Sequence, residues 1–307
     1  MIDYPKISVV TITYGHENFI EQTLDGVFMQ DYKGEIEFII ANDNSPDDTD
    51  KVVKNYLSSK TIPSNFIIKY TKHESNKGMM PNFIWALEQA SGKYIALCEG
   101  DDYWTNPLKL QEQLEFLEKN EEYVIHSGKA QILKEYKFGK TIGDPLSKKT
   151  YDIADFYSKN NLVTCTAMFQ NIPISLSNFQ DLVFGDWKLY TLLLSQKSRN
   201  LAYVTDEIYA VYRIHEGGAM QKITREYENA EAHLKQIESV NKNLSSTFTK
   251  KDIQTINSYC ISIFDHQLQK SRYKECFAVL FRNIFLVKYK LPLRNYLGLI
   301  KYYKCSI

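Results

Sequence analysis

A chain of 307 residues, 44% of them hydrophobic, is long enough to bury one large core and still carry a helical appendage. Lysine plus arginine equals aspartate plus glutamate at 37 each, so no overall charge directs the chain to nucleic acid. The five cysteines, Cys98, Cys165, Cys260, Cys276 and Cys305, include no CxxC pair, which argues against a zinc or redox centre and for inert thiols.

The first apolar run, Ile7 to Ile12, reads as a strand and closes into Thr13-Tyr14-Gly15. Glu17 to Gln30 follows as a helix with Phe19, Ile20, Leu24, Val27 and Phe28 on one face. A second strand, Ile36 to Ala41, closes into Asn42-Asp43-Asn44-Ser45. A helix from Asp47 to Leu57 and a strand from Phe66 to Tyr70 complete a run of βαβ units. Pro81 to Ala90 reads as a helix ending near Gly92. The next apolar run, preceded by Ser91-Gly92-Lys93, is a buried strand that ends in three carboxylates, Glu99, Asp101 and Asp102. Lys109 to Asn120 is a helix with Leu110, Leu114 and Leu117 aligned. From there the pattern is mixed: a strand from Val124 to Leu133, a loop over 137–150, and a short helix from Asp152 to Asn160. A strand from Thr164 to Gln170, a helix from Asp186 to Gln196 and a strand from Glu207 to Tyr212 follow. Thr224 to Val240, Lys251 to Lys270 and Tyr273 to Val287 read as three further helices.

Three strands thus end in polar or aromatic groups, and parallel strands bring such ends to one edge, where open α/β sheets bind ligands. An acidic cluster there is either a site for a divalent cation holding phosphate or a solvated turn. Tyr14 is equally a core aromatic, and Asp43 equally a turn or cap residue, when each is taken alone.

In combination these segments carry a family resemblance. Ser-Val-Val-Thr-Ile-Thr-Tyr, Asn-Asp-Asn-Ser-Pro-Asp-Asp-Thr, Asn76-Lys77-Gly78, Glu-Gly-Asp-Asp-Tyr-Trp, Phe184-Gly185-Asp186-Trp187 and Tyr212-Arg213-Ile214-His215 resemble, in order and spacing, family 2 glycosyltransferases such as those building bacterial cell-surface polysaccharides. The resemblance covers about residues 5 to 218. It implies an α/β fold of the GT-A type with a mostly parallel sheet, a nucleotide-diphosphate sugar donor, a divalent metal and inversion at the anomeric carbon. The expected organisation is a glycosyltransferase domain over 1–220, with a donor half (1–105) and an acceptor half (106–220), followed by a helical region over 221–307.

The resemblance also implies residue roles. Thr13, Tyr14 and Asp43 would meet base and ribose, and Lys77 and Gly78 would lie near the diphosphate, although the arginine that the family usually carries after this loop is replaced by Met79-Met80-Pro81-Asn82. The phosphate contact would then fall to Lys77, to the helix N-terminus at Pro81, or to neither. Asp101 would be the main ligand of Mn²⁺ or Mg²⁺ and would also touch the donor. Asp102, Glu99 and His215 are further ligand candidates, Glu99 standing where the family usually has aspartate. Asp186 would be the base that deprotonates the acceptor hydroxyl. Trp187 would wall the sugar site, and Arg213 would offset charge on the leaving group.

From residue 270 onward nine Lys or Arg face one acidic residue, Glu275, a formal +8 interleaved with Phe, Leu and Tyr. Such a segment suits either an anionic membrane surface or a packed appendage with a solvated basic face. The chain opens without a basic segment and apolar h-region, and no stretch approaches ~18 uninterrupted apolar residues, so a cytoplasmic protein is the expectation, with association at the inner membrane face through 270–307 the alternative to a packed appendage. The function expected is metal-dependent transfer of a sugar, UDP-linked, to a hydroxyl of a cell-surface glycan or lipid-linked acceptor. Two alternatives are a nucleotidyltransferase of similar fold, for which Tyr14-Gly15-His16-Glu17 supplies no glycine-rich phosphate loop, and a non-catalytic nucleotide- or glycan-binding protein. Donor sugar, linkage and oligomeric state have no local code.

Overall fold

The structure is a computed structural model and describes residues 4–143, 149–176, 179, 182–196, 200–218, 226–242 and 248–287. The chain divides into two compact units, one of residues 1–156 and 160–222, the other of 157–159 and 223–307.

The first unit is built on one mixed sheet. β1 (Ile7–Thr13) lies between β2 (Ile36–Asn42) and β4 (Tyr94–Leu97), parallel to both, and β3 (Phe66–Lys72) continues the parallel order beyond β2. β1, β2 and β4 are almost wholly buried, as their near-continuous Val, Ile, Leu and Ala content requires of parallel strands covered on both faces. The covering helices are α1 (Ile20–Phe28), α2 (Thr49–Ser59), α3 (Met79–Glu88) and α4 (Lys109–Lys119). Leu24, Val27, Val53, Leu110 and Leu114 are fully buried against the sheet, each worth roughly 1.5–3 kcal/mol of apolar transfer.

Beyond β4 the sheet turns antiparallel at β9 (Met168–Gln170), which pairs with β4 and with β6 (Tyr123–Lys134). The long strand β10 (Leu201–Ile214) runs parallel to β6, and two short strands, β5 (Tyr103–Trp104) and β8 (Thr150–Tyr151), pair with it antiparallel. β7 (Lys137–Ile142) forms a hairpin with β6, so part of the stretch expected to be a loop is a strand. The two residues between them, Glu135 and Tyr136, both take positive φ, the geometry of the tight turns that match strand twist, here without the Asn-Gly or Asp-Gly pair that normally announces it. The short helix expected over Asp152 to Asn160 contracts to a 3₁₀ turn, Ile153–Phe156, and the strand expected from Thr164 begins as a 3₁₀ turn, Thr164–Thr166. α5 (Gly185–Ser195) completes this unit.

At the amino ends of the strands a buried Glu37 fastens four segments. It accepts from Ser8 of β1 (2.5 Å), from the backbone N–H and hydroxyl of Ser91 (2.8 Å each) before β4, and from Lys69 of β3 (2.6 Å).

The second unit contains α6 (Glu226–Asn241), α7 (Lys250–Gln269) and α8 (Tyr273–Val287). Thr249 caps α7 reciprocally with Asp252, the expected start signal of a helix, and Leu234, Ile237, Ile256 and Ile263 form its core. Arg282 of α8 pairs with Glu231 and Glu238 of α6, so this basic residue of the +8 segment is engaged within the unit. Residues 288–307 of that segment lie outside the described residues. No described helix is long and apolar enough to cross a membrane.

Candidate active site

The carboxyl ends of β1, β2 and β4 lie side by side because the three strands are parallel, with Thr13 opposite Asn42 in register. The turns that leave them surround a cavity of about 540 Å³. Tyr14, Asp43, Gly78, Asp101, Asp186 and His215 all border it, as do Thr13, Glu99, Asp102 and Arg213.

The carboxylate turn is braced from several sides. The Thr23 hydroxyl of α1 donates to the carbonyls of Gly100 (3.1 Å) and Asp102 (2.6 Å). Arg213, over the faces of Tyr103 and Phe19, donates to the Asp101 carbonyl (2.5 Å) and to the Gln22 side chain. Its guanidinium therefore positions the turn, a role that the expectation of a charge-offsetting arginine did not include. The Arg213 backbone N–H donates to Asp102 Oδ1 (2.8 Å). Gly100 fits because it has no side chain: a Cβ there would lie 2.7 Å from Thr13 Cβ and 3.0 Å from His16 Nδ1.

Asp101 and Asp102 do not share one ligand cluster, contrary to the single set expected from sequence. Asp101 Oδ2 lies 3.0 Å from His215 Nε2 and 3.8 Å from His16 Nε2, whereas Asp102 groups with Glu99 and Cys165. Adjacent residues leaving a turn direct their side chains differently, and the bond from Arg213 holds Asp102 to β10. His16 has no sequence signal of a site residue. It follows Gly15, whose φ of +74° turns the chain back, and its N–H is held by Thr49 Oγ1 (2.9 Å) while that of Gly15 is held by Ser45 Oγ (3.1 Å).

After β2, Asp43, buried, accepts from the N–H groups of Lys77 (2.7 Å) and Gly78 (2.9 Å). Each carboxylate oxygen retains acceptor capacity toward the cavity. Gly78 takes φ +92° at the start of α3, which only glycine adopts freely. Lys77 contributes its backbone. Its side chain is exposed and is not among the residues that border the cavity. Tyr14 is 43% exposed, leaving its ring accessible.

Asp186 lies in the first turn of α5 and accepts at Oδ2 from the Thr164 hydroxyl (2.5 Å) and the Asn160 amide (2.9 Å). It is not the helix cap, since Phe184 holds that position. Trp187 corrects the sequence reading: its indole is 2% exposed, donates to the Phe156 carbonyl (2.7 Å) and does not border the cavity. One residue farther along a helix turns the side chain by about 100°. The apolar wall is made instead by Met79, Met80, Phe83, Val183 and Phe184.

The model of the family described as glycosyl transferase family 2 matches residues 8–174, a span that includes the Asp43 and Asp101 walls. The chain belongs to glycosyl transferase family 2. An uncharacterized protein of Mycobacterium tuberculosis is 30% identical over 213 residues, 69% of this family member and 60% of the relative, so the chain spans about three-fifths of the mycobacterial relatives it matches. The Escherichia coli UDP-Glc:alpha-D-GlcNAc-diphosphoundecaprenol beta-1,3-glucosyltransferase WfaP is 27% identical, over 69% of this chain and 78% of WfaP. Among solved structures, S. aureus TarS 1–349 in complex with UDP-GlcNAc shares the fold with a TM-score of 0.63 at 18% identity, covering 92% of this chain and 81% of that one.

Electrostatics in this glycosyltransferase-family cavity sort the carboxylates. Burial by itself would raise Asp101, but the His215 hydrogen bond and the imidazole charges nearby outweigh it and hold Asp101 below the ordinary aspartate range. Glu99, whose Oε2 is shielded and unpaired among the described residues, is pushed up to about 8 by burial and by the charge of Asp101. Asp102 is raised for the same two reasons. Ionisation of the turn is thereby concentrated on Asp101. Burial also raises Asp186, against the hydrogen bonds from Thr164 and Asn160, and lowers His16.

Proposed function

We propose that the cavity binds a UDP-sugar and transfers its sugar, with inversion, to a hydroxyl of a cell-surface glycan or lipid-linked acceptor. The observation that carries this reading is that Asp43, Asp101 and Asp186 border one cavity from three different elements, the turns after β2 and β4 and the first turn of α5. The names support its finer points: WfaP is called a UDP-Glc transferase to a diphosphoundecaprenol-linked sugar, and TarS was solved with UDP-GlcNAc.

In this reading residues 1–105 hold the donor and 106–220 the acceptor. The Tyr14 ring offers a stacking face to the base, and Asp43 an acceptor for a base N–H. The first turn of α3, from Gly78, brings backbone N–H groups and the positive end of the helix dipole to the diphosphate. The ionised Asp101 carboxylate and the His215 imidazole, 3.0 Å apart, fit a divalent ion such as Mn²⁺ or Mg²⁺ as oxygen and nitrogen donors. When bound, that ion supplies positive charge to the leaving diphosphate.

Asp186 removes the proton of the acceptor hydroxyl as its oxygen bonds to the anomeric carbon. The bond from that carbon to the β-phosphate oxygen breaks, and its electron pair leaves with UDP. Burial makes Asp186 a stronger base than a solvated aspartate, and Thr164 and Asn160 fix the orientation of its carboxylate. The apolar wall excludes water that would otherwise accept the sugar. The test is a screen of nucleotide sugars with Mn²⁺, with nucleotide diphosphate release as the readout. Release from a UDP-sugar that depends on Asp101 supports the reading, and no release from any nucleotide sugar, with or without candidate acceptors, refutes it.

A further inference from the structure

We infer that the His16 imidazole is a third protein ligand, beside Asp101 and His215, of a divalent cation in the cavity, giving a set of one carboxylate and two imidazoles that takes a first-row transition ion in preference to Mg²⁺. This rests on the metal reading above and adds a residue that the expected ligand set does not contain.

Distance is the first argument. Ligand atoms bound at about 2.1 Å to one ion stand roughly 3.0 Å apart at right angles and about 4.2 Å apart when opposite. The separations of Asp101 Oδ2 from His215 Nε2, 3.0 Å, and from His16 Nε2, 3.8 Å, both fall in that range. The three ligand atoms lie within 4.8 Å of one another. At 3.8 Å the His16–Asp101 contact is within ion-pair range but too long for a hydrogen bond, a spacing that leaves room for an ion between the two atoms.

The second argument is the way His16 is supported. Thr13 Oγ1 lies 3.1 Å from His16 Nδ1. With the proton on Nδ1 donated to that hydroxyl, the lone pair of Nε2 is on the side of Asp101, the arrangement in which a second partner fixes the tautomer of a metal-binding histidine. The backbone is fixed too, by Thr49 and Ser45 on the neighbouring turn and by the left-handed Gly15. Gly100 leaves the space that Thr13 and His16 occupy. Three strand ends therefore cooperate to bring one imidazole to Asp101.

The third argument concerns the ion. Mg²⁺ takes oxygen ligands and keeps much of its water, whereas imidazole nitrogen favours transition ions. A two-imidazole set therefore discriminates where a carboxylate-only set does not.

The experiment is Mn²⁺ titration of the full-length protein, without nucleotide, followed by electron paramagnetic resonance, with pulsed detection of nitrogen coupled to the bound ion. Two histidine nitrogens are expected in the wild type. His16→Gln is expected to retain one, to weaken Mn²⁺ roughly tenfold or more, and to narrow the preference for Mn²⁺ over Mg²⁺ in competition. Thr13→Val is expected to weaken Mn²⁺ less while keeping both nitrogens. One nitrogen in the wild type overturns the proposal even if His16→Gln does not fold, as does an unchanged spectrum and affinity in a folded His16→Gln. Asp101→Asn separates the two levels of the argument: if it binds Mn²⁺ as the wild type does, the metal reading itself fails, and if it abolishes binding while His16→Gln does nothing, the ligand role of His16 alone fails.

Discussion

Glu37→Gln removes one charge at the edge of the sheet opposite the cavity. The carboxylate is 1% exposed and accepts from Ser8, from Ser91 twice and from Lys69. Burial alone would raise it, but the hydrogen bonds from Lys69, Ser8 and Ser91 prevail and hold it at about 2, against 4.5 for an ordinary glutamate. A displacement of that size corresponds to roughly 3 kcal/mol. Because the folded value lies below the unfolded one, the stabilisation is complete above pH ~4.5 and fades as the pH falls toward 2. Glutamine also presents an amide donor to a ring of donors, leaving one hydrogen bond unmade. The variant is therefore expected to lose about 3 kcal/mol at pH 7 and roughly half of that at pH 3, where a carboxylate held at about 2 is still mostly ionised. Urea unfolding followed by tryptophan fluorescence reports the right unit, since Trp85, Trp104 and Trp187 all belong to the first one. A loss below about 0.5 kcal/mol at pH 7, or the same loss at both pH values, would refute the reasoning.

Asp186→Asn should remove transfer while leaving donor affinity near wild type, because a base acts mainly in the transition state. In the wild type, the rise of transfer rate with pH should be displaced upward from that of an ordinary aspartate, since burial raises Asp186 and only its ionised form accepts the proton; a rate that is flat through the acid range contradicts this. Trp187→Phe should cost roughly 1–2 kcal/mol of stability, by leaving the Phe156 carbonyl unpaired, with donor affinity unchanged; reduced affinity in calorimetry would restore Trp187 to the sugar site. As a hypothesis from the +8 composition of residues 270–307, the protein should sediment with anionic vesicles at low salt and be released at ~1 M salt, and indifference to such vesicles ends the membrane proposal.

The parallel half of the fold was legible because its strands are continuous apolar runs that end at polar turns, so periodicity and punctuation agree at Ile7, Ile36 and Tyr94. The hairpin after β6 was not, because Glu135 and Tyr136 adopt positive φ without glycine or asparagine to signal it. β5 escaped because two residues show no period; β10 supplies its pairing. The wall residues Tyr14, Asp43, Asp101 and Asp186 were legible through the family pattern. Which way a side chain leaves its turn was not: Lys77 faces the solvent, and Asp102 faces β10 and Trp187 the interior, the last two held by partners far away in sequence. His16 is the extreme case, brought to Asp101, 85 positions away in the chain, by tethers of its own turn to Ser45 and Thr49.

The central claim, that one cavity divides donor binding and base catalysis among three aspartates, is tested most directly by UDP titration with Mn²⁺ in a calorimeter. Wild type and Asp186→Asn are expected to bind alike, whereas Asp43→Ala and Asp101→Asn should each bind roughly tenfold or more weakly. Equal affinity in all four proteins, or loss of affinity in Asp186→Asn alone, would contradict the account.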